Sequence, residues 1–323
     1  MVIAKAEIEN NANVTGEELL MELVFLGTGG GMPTPERALP SLALRFAGHL
    51  LIFDCGEGTQ RQIVSAGLGF PSSMSVFVTH LHADHYLGLG GLVATLDLLR
   101  REAPLRIYGP KGIREVVGLL IEAARLDPGF DVVTTEIGEG IVVEGREFVV
   151  EAMRTRHTVE SFAYRLRERD RPGRMRVEYL ESIGLPRGPL WGELQRGRPV
   201  EFGGRIIRPE EAVDPPRRGR IVVYSGDTLP FEGMVEFARG ADVLVHESSF
   251  DSSLRGKALE DMHSTAADAA EIALRAGVRK LVLYHLSSRY RGRWEVLLEE
   301  ARRTFPDVIL PSDLQRLEVP FDR

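Results

Sequence analysis

Residues 75–85 read Ser75-Val76-Phe77-Val78-Thr79-His80-Leu81-His82-Ala83-Asp84-His85. An apolar, partly β-branched run ends, and three imidazoles and a carboxylate follow within six residues. If strand geometry continues past Thr79, alternation puts His80 and His82 on one side. The turn that follows then presents Asp84 and His85 to a second centre. Imidazole together with carboxylate suits Zn²⁺, and less specifically Mn²⁺ and Fe²⁺. With only 8 histidines in 323 residues, a solvated His-rich loop is a poor explanation for this clustering.

Outward from that stretch, short apolar runs alternate with helical ones. Strands are predicted at Glu22–Leu26, Ser41–Phe46, Leu50–Asp54, Ser75–Thr79, Leu105–Tyr108, Phe148–Met153, Ile221–Ser225, Val243–His246 and Leu281–His285. Helices are predicted at Gly56–Ser65, Leu87–Arg100, Gly112–Ala124, Thr265–Ala276 and Arg293–Thr304. Thr265-Ala-Ala-Asp268 reads as an N-cap with an acidic third helical position. Helices covering apolar strands imply a layered α/β protein.

More metal-type side chains fall at or just past predicted strand ends, where such sheets gather their ligands. His157 follows 148–153, Asp227 follows 221–225, and His285 closes 281–285. Singly, His157 or His285 reads as a core or loop histidine. Beside the first cluster, five histidines and two aspartates suffice for two metals with one carboxylate bridging. A glycine loop, Gly27-Thr-Gly-Gly-Gly31, reads as a tight turn, and His49 and His246 as structural.

Composition narrows the setting. Apolar residues make up 43% and charged residues 27%, ordinary for a soluble enzyme. No apolar run approaches the ~20 residues of a membrane span, and MVIAKAEIEN lacks the pattern of a secretory signal. Cys55 is the only cysteine, which precludes an intrachain disulfide. The expected compartment is the cytoplasm. Lysine is confined to Lys5, Lys111, Lys257 and Lys280, and asparagine to Asn10, Asn11 and Asn13. The asparagine cluster sets residues 1–20 apart as an extension expected to be poorly ordered, with Met21 as the expected natural start.

Charge is unevenly spread. Residues 154–220 hold 16 arginines, no lysine and 10 acidic residues, a local +6 that leaves −13 for the rest of a chain at −7. A basic region on an acidic body directs a polyanion to one face. From about 168 to 212 the rhythm of strands and helices breaks into Arg-, Gly- and Pro-rich sequence. This stretch is expected to be an inserted arm, too thin in apolar residues for a core of its own.

The His-x-His-x-Asp-His run, the later His157, Ser225-Gly-Asp-Thr228 and His285 resemble, in that order, the metallo-β-lactamase superfamily. The closer resemblance is to ribonuclease Z, the tRNA 3′-processing endonuclease. It is carried by Phe25-Leu-Gly-Thr-Gly29, Phe53-Asp-Cys-Gly-Glu-Gly-Thr-Gln60, His246-Glu-Ser-Ser-Phe250, His263-Ser-Thr265 and His285-Leu-Ser-Ser-Arg-Tyr290, from Met21 onward. The resemblance implies a four-layer αβ/βα sandwich with a protruding tRNA-binding arm, including Gly188-Pro189-Leu190. It implies two Zn²⁺ per chain, one held by His80, His82 and His157 and the other by Asp84, His85 and His285, with Asp227 bridging. Two metals ~3.5–4 Å apart lower the pKa of a shared water and clamp the attacking and leaving oxygens of a phosphodiester. Asp84 is then the base and Glu247 with His263 the acid side, while Asp54 orients a ligand histidine or simply shapes a turn. Cleavage leaves a 3′-hydroxyl on the tRNA and a 5′-phosphate on the trailer. A homodimer is also implied, the arm of one subunit holding the tRNA elbow while its partner cuts; Arg174, Arg176, Gly188 and Pro189 are the arm's candidate RNA contacts. No nucleotide cofactor and no membrane are expected.

One motif departs from the family. A Pro-x-Lys-x-Arg-Asn loop that helps discriminate CCA ends is here Pro33-Thr-Pro-Glu-Arg-Ala38, with Pro35 and Ala38 at the Lys and Asn positions. The rival readings are a small-molecule phosphodiesterase on the same metal site and a non-catalytic RNA-binding paralogue.

Overall fold

The computed structural model describes residues 20–321; of the expected extension 1–20, all but Leu20 lies outside them. The chain forms two compact units, one of residues 20–167 and 221–320, the other of 168–220 with Phe321.

The larger unit holds two seven-stranded sheets. Its strands, in chain order, are β1 (Glu22–Gly27), β2 (Ser41–Phe46), β3 (His49–Phe53), β4 (Met74–Phe77), β5 (Leu105–Gly109), β6 (Val132–Glu136), β7 (Gly140–Glu144), β8 (Phe148–Arg154), β9 (Phe162–Glu168), β10 (Ile221–Tyr224), β11 (Val243–Glu247), β12 (Lys280–Tyr284), β13 (Val308–Ile309) and β14 (Arg316–Glu318). The first sheet runs β14-β1-β2-β3-β4-β5-β6 and the second β13-β12-β11-β10-β9-β8-β7. Strands β14 to β3 pair antiparallel and β3 to β6 parallel. In the second sheet β7–β8 and β9–β10 are antiparallel, and β10 to β13 parallel. Each sheet therefore passes from an antiparallel edge to a parallel one.

Successive residues of the central strands belong to different cores. Leu23 and Phe25 face an inter-sheet core that also holds Phe53, Phe77, Tyr164, Val222, Tyr224, Val245 and Tyr284. Val24 and Leu26 face the helices over the first sheet, as Val223 and Leu244 face those over the second. Burial on both faces explains why these strands read as unbroken apolar runs. The result is the four-layer sandwich expected. Helix Ala266–Ala276 has the anticipated capping box, Thr265 accepting from Asp268 N–H, and ends at Gly277 with φ of 63°. Its buried face is mostly alanine, which lets it lie close to the sheet.

Three sequence expectations need correction. Strand β4 stops at Phe77, two residues short of the predicted Thr79. Strands β6, β7, β9, β13 and β14 were not predicted; in β9, Arg165 and Arg167 and the charge around them mask the inward Phe162, Tyr164 and Leu166. The third concerns the insertion. The smaller unit does have a core: Leu180, Leu185, Leu194, Val200, Ile207 and Ala212 are buried together, with Trp191 and Phe202 against them. Their wide spacing in sequence hid them. That unit consists of short helices (Val177–Ser182, Pro189–Gln195, Pro209–Ala212) and a ribbon, Val200–Phe202 with Arg205–Ile207, turned through Gly203 and Gly204 at positive φ. It runs through Arg220, beyond the expected 212, where Glu168 accepts from both Arg171 and Arg220.

Candidate metal centre

The site forms where chain segments leave the sheets. After β4, Val78 N–H donates to the Tyr108 carbonyl (2.8 Å) and Thr79 N–H to Asp54 Oδ1 (2.7 Å). A single helical turn, Ala83–Tyr86, follows. This exit, and not continued strand alternation, brings His80 Nε2 to 3.0 Å from His82 Nδ1. His157, past the end of β8, puts its Nε2 3.1 Å from the same His82 nitrogen. A second group lies beside the first: His85 Nε2 and His285 Nε2 are 3.3 Å apart and 3.6 and 3.5 Å from Asp84 Oδ2. Asp227 Oδ2 lies between the groups, 3.7 and 4.0 Å from His80 and His157, and 3.4 and 3.3 Å from His85 and His285.

The outer nitrogens of these rings are engaged. His85 Nδ1 donates to Asp54 Oδ2 (2.8 Å), and His157 Nδ1 to the Met262 carbonyl (3.0 Å). Thr79 Oγ1 donates to Asp54 and so accepts from His80 Nδ1 at 2.9 Å. Ser249 Oγ donates to Glu247 Oε2 (2.8 Å) and so accepts from His285 Nδ1 at 2.9 Å. A neutral imidazole with one nitrogen donating offers only a lone pair at the other. Apart from His85, where burial opposes charge and Asp227 and Asp54 favour it more strongly, the inward nitrogens are lone pairs facing lone pairs and a buried carboxylate. Asp227 Oδ1, also buried, has no hydrogen-bond partner among the described residues. A cation completes this arrangement and no side chain does. The residues present fit a metal.

Backbone conformation is specialised here. Asp54, Met262 and His285 are non-glycine residues at φ of 58°, 58° and 54°, a sparsely populated region whose cost concentrates at functional sites. Asp54 thus both shapes a turn and orients His85. A Cβ on Gly30 would lie 2.4 Å from the His285 ring, so only glycine leaves that ring its place. Gly31 N–H donates to Asp84 Oδ2 (2.8 Å), so the glycine loop serves the site as well as turning the chain.

Glu247 and His263 adjoin the cluster. His263 Nδ1 is 2.8 Å from Glu247 Oε1, which also accepts from Thr228 N–H (2.9 Å). Burial opposes charge on His263, but the Glu247 carboxylate outweighs it and lifts the imidazole to about 9. Ser264 Oγ donates to the Thr228 carbonyl (2.7 Å), anchoring this segment beside Asp227.

Other expected residues lie elsewhere. Arg174 is exposed, Gly188 is exposed and extended, and Pro189 opens helix Pro189–Gln195, all in the smaller unit. Arg176 is bound to Asp214 at 2.8 Å and to the Glu210 carbonyl. In the loop that departs from the family pattern, Arg37 is buried, donating to the Pro311 carbonyl (2.6 Å) and lying over Trp294. Its neighbour Glu36 pairs with Arg291. His49 and His246 are buried outside the cluster. Sequence reading missed Thr79, Ser249 and Gly30, and also Tyr224, whose Oη donates to Asp54 Oδ2 at 2.8 Å. Their only signal was adjacency to the motifs.

Comparison with known proteins places this geometry. Residues 21–170 match a family model described as anti-Pycsar protein Apyc1. The structure resembles the metallo-β-lactamase fold protein YhfI from Bacillus subtilis (TM-score 0.65, 18% identity, 93% of this chain and 99% of that one), a likeness of fold. It also resembles human tRNase Z, short form, with TM-score 0.66 and 27% identity over 93% of this chain and all of that one. In sequence, the chain is 45% identical to ribonuclease Z of Methanosarcina mazei over 302 residues, 94% of this chain and 99% of the relative. Identity of that size, held across nearly the full length of both chains, makes this protein a member of the ribonuclease Z family.

Proposed function

We propose that the chain is a zinc-dependent endoribonuclease that removes 3′ trailers from tRNA precursors, leaving a 3′-hydroxyl on the tRNA and a 5′-phosphate on the trailer. The observation that carries this is Asp227 Oδ2 set between two three-residue groups of ligand atoms, in a chain of the ribonuclease Z family. His80, His82 and His157 would hold one ion, Asp84, His85 and His285 the other, with Asp227 shared. When bound, two such ions supply a nucleophile at neutral pH and charge against the developing phosphorane. Asp84, held by Gly31 N–H, takes up the proton of the attacking water. His263, kept protonated by Glu247, gives a proton to the departing ribose oxygen.

The smaller unit is the proposed tRNA-binding arm, and its arginines divide by geometry. Arg176, Arg196 and Arg198 are engaged by carboxylates. Arg174 is exposed, and Arg205 lies over Tyr179; these two are the proposed phosphate contacts, beside Gly188 and Pro189. A homodimer in the cytoplasm, one subunit's arm serving its partner's centre, completes the proposal. Among the described residues no helix is long and apolar enough to cross a membrane. Incubation with a 3′-extended tRNA precursor and mapping of both product ends tests the reading. A trailer bearing a 5′-hydroxyl, or no cleavage by zinc-loaded protein, refutes it.

A further inference from the structure

Met262 stands where a glycine is expected. Helix Arg255–Glu260 is followed by Asp261 in a right-handed conformation, and the backbone then reverses at Met262, with φ of 58°. Met262 N–H donates to the Leu259 carbonyl (3.3 Å) and His263 N–H to the Ala258 carbonyl (2.8 Å). Such a crossed pair of bonds satisfies the last carbonyls of a helix, and the residue at its left-handed position is usually glycine. A side chain there crowds its own backbone. The chain has little slack in which to place the turn elsewhere. Ala258 is buried, Ser264 is fastened to the Thr228 carbonyl, and Thr265 already caps the next helix.

The same turn serves the metal centre. It aims the Met262 carbonyl at His157 Nδ1 (3.0 Å), which leaves the other nitrogen of that ring turned inward, 3.1 Å from His82. It also sets the direction of the next residue, which brings His263 Nδ1 to 2.8 Å from Glu247 Oε1. The His157 and His263 rings lie side by side, their centroids 5.1 Å apart. The Met262 carbonyl and the His263 N–H belong to one planar peptide unit. The bond that this unit makes to Ala258 and the one it receives from His157 therefore fix each other. Resting on the reading above for the proton donor, we propose that the left-handed turn at Met262 is a positioning device shared by a metal ligand and the proton donor. It orients His157 through its carbonyl and His263 through the peptide unit that follows.

The test compares the full-length parent with Met262→Gly, Met262→Asn and Met262→Val. Glycine and asparagine accept a left-handed backbone, and valine resists it. Zinc affinity is read by competition with a chelator, and folding by thermal melting of the metal-free chain. The constants kcat and KM are read on a 3′-extended tRNA precursor at saturating zinc. Met262→Gly and Met262→Asn should keep zinc affinity and kcat within about threefold, because the device is made of backbone. Met262→Val should bind zinc about 10- to 100-fold more weakly, as when a partner that orients a ligand is lost. With zinc restored, its kcat should still fall about 100-fold while KM stays within about threefold, the effect of a misaimed proton donor. A folded Met262→Val that loses neither quantity, or only one, overturns the shared device. So does a folded Met262→Gly or Met262→Asn that loses either, since the thioether side chain is then what matters. Those two variants keep the proposal refutable should valine prevent folding. A zinc-loaded parent that leaves the precursor uncut overturns the functional reading and this inference with it.

Discussion

Two hydroxyls do the same task at the centre. Thr79 takes the His80 ring N–H and hands its own hydrogen to Asp54; Ser249 does so between His285 and Glu247. Each follows a strand end by two residues, β4 for Thr79 and β11 for Ser249. Ser249→Ala should weaken binding at the proposed Asp84–His85–His285 ion about 10- to 100-fold, a usual cost for losing a partner that orients a ligand. Ser249→Thr should largely restore it. Zinc titration against a competing chelator measures both, and unchanged affinity in Ser249→Ala would remove the hydroxyl from the design. His263→Ala should lower turnover about 10²–10⁴-fold with metal content unchanged. Glu247→Ala should act the same way, and the double variant should lose less than the product. Metal loss in His263→Ala would instead make that residue a ligand. The imidazoles themselves were legible, since His80, His82, Asp84 and His85 stand together in sequence. Ser249 was not: serine is common, and its importance lies in which atom holds the hydrogen.

Elements were readable where burial made them monotonous. Strands β1, β10 and β11 are buried on both faces and announce themselves as apolar runs. Strand β9 carries arginine on its outer positions and dissolved into the basic stretch that follows it. The insertion was visible by composition, but its six-residue core was not, because those residues come from five short elements and the turn at Leu185. Replacing 169–219 by a short flexible linker keeps Glu168 and Arg220, which hydrogen-bond through their backbones. If the proposed arm supplies phosphate contacts, this deletion should raise KM for tRNA precursor severely. It should also flatten the salt dependence of binding, since fewer counterions are released. Hydrolysis of a small chromogenic phosphodiester should persist. Equal loss on both substrates would show that the insertion supports the fold.

At the scale of the molecule, the two sheets follow one plan, antiparallel at one edge and parallel at the other. The candidate ligands come from strand exits of both sheets, with Asp227 between them. Such pairing was not legible: β14 joins β1 with Glu22 opposite Glu318, and no local pattern announces a partner so distant. An ion that binds the folded chain and not the unfolded one adds stability by mass action. Stripping zinc should therefore lower Tm by about 4 °C or more, given ~2.7 kcal/mol at a hundredfold excess over Kd and the usual slope for a chain of this size. A scanning-calorimetry trace unmoved by chelation would count against resident metal. The lone cysteine offers a separate probe of packing. Burial pushes the Cys55 thiol up to about 12, so iodoacetamide should label it only when the chain unfolds.

The proposed ligands are spread along the chain in an order that matters for synthesis. His80, His82, Asp84 and His85 are made early, His157 next, and Asp227 and His285 only after the whole insertion. A nascent chain therefore carries four of the seven ligand side chains long before the rest exist. A ribosome must read past codon 285 before the last of them is made. A stop codon anywhere upstream of it would release a product without the full set of proposed ligands.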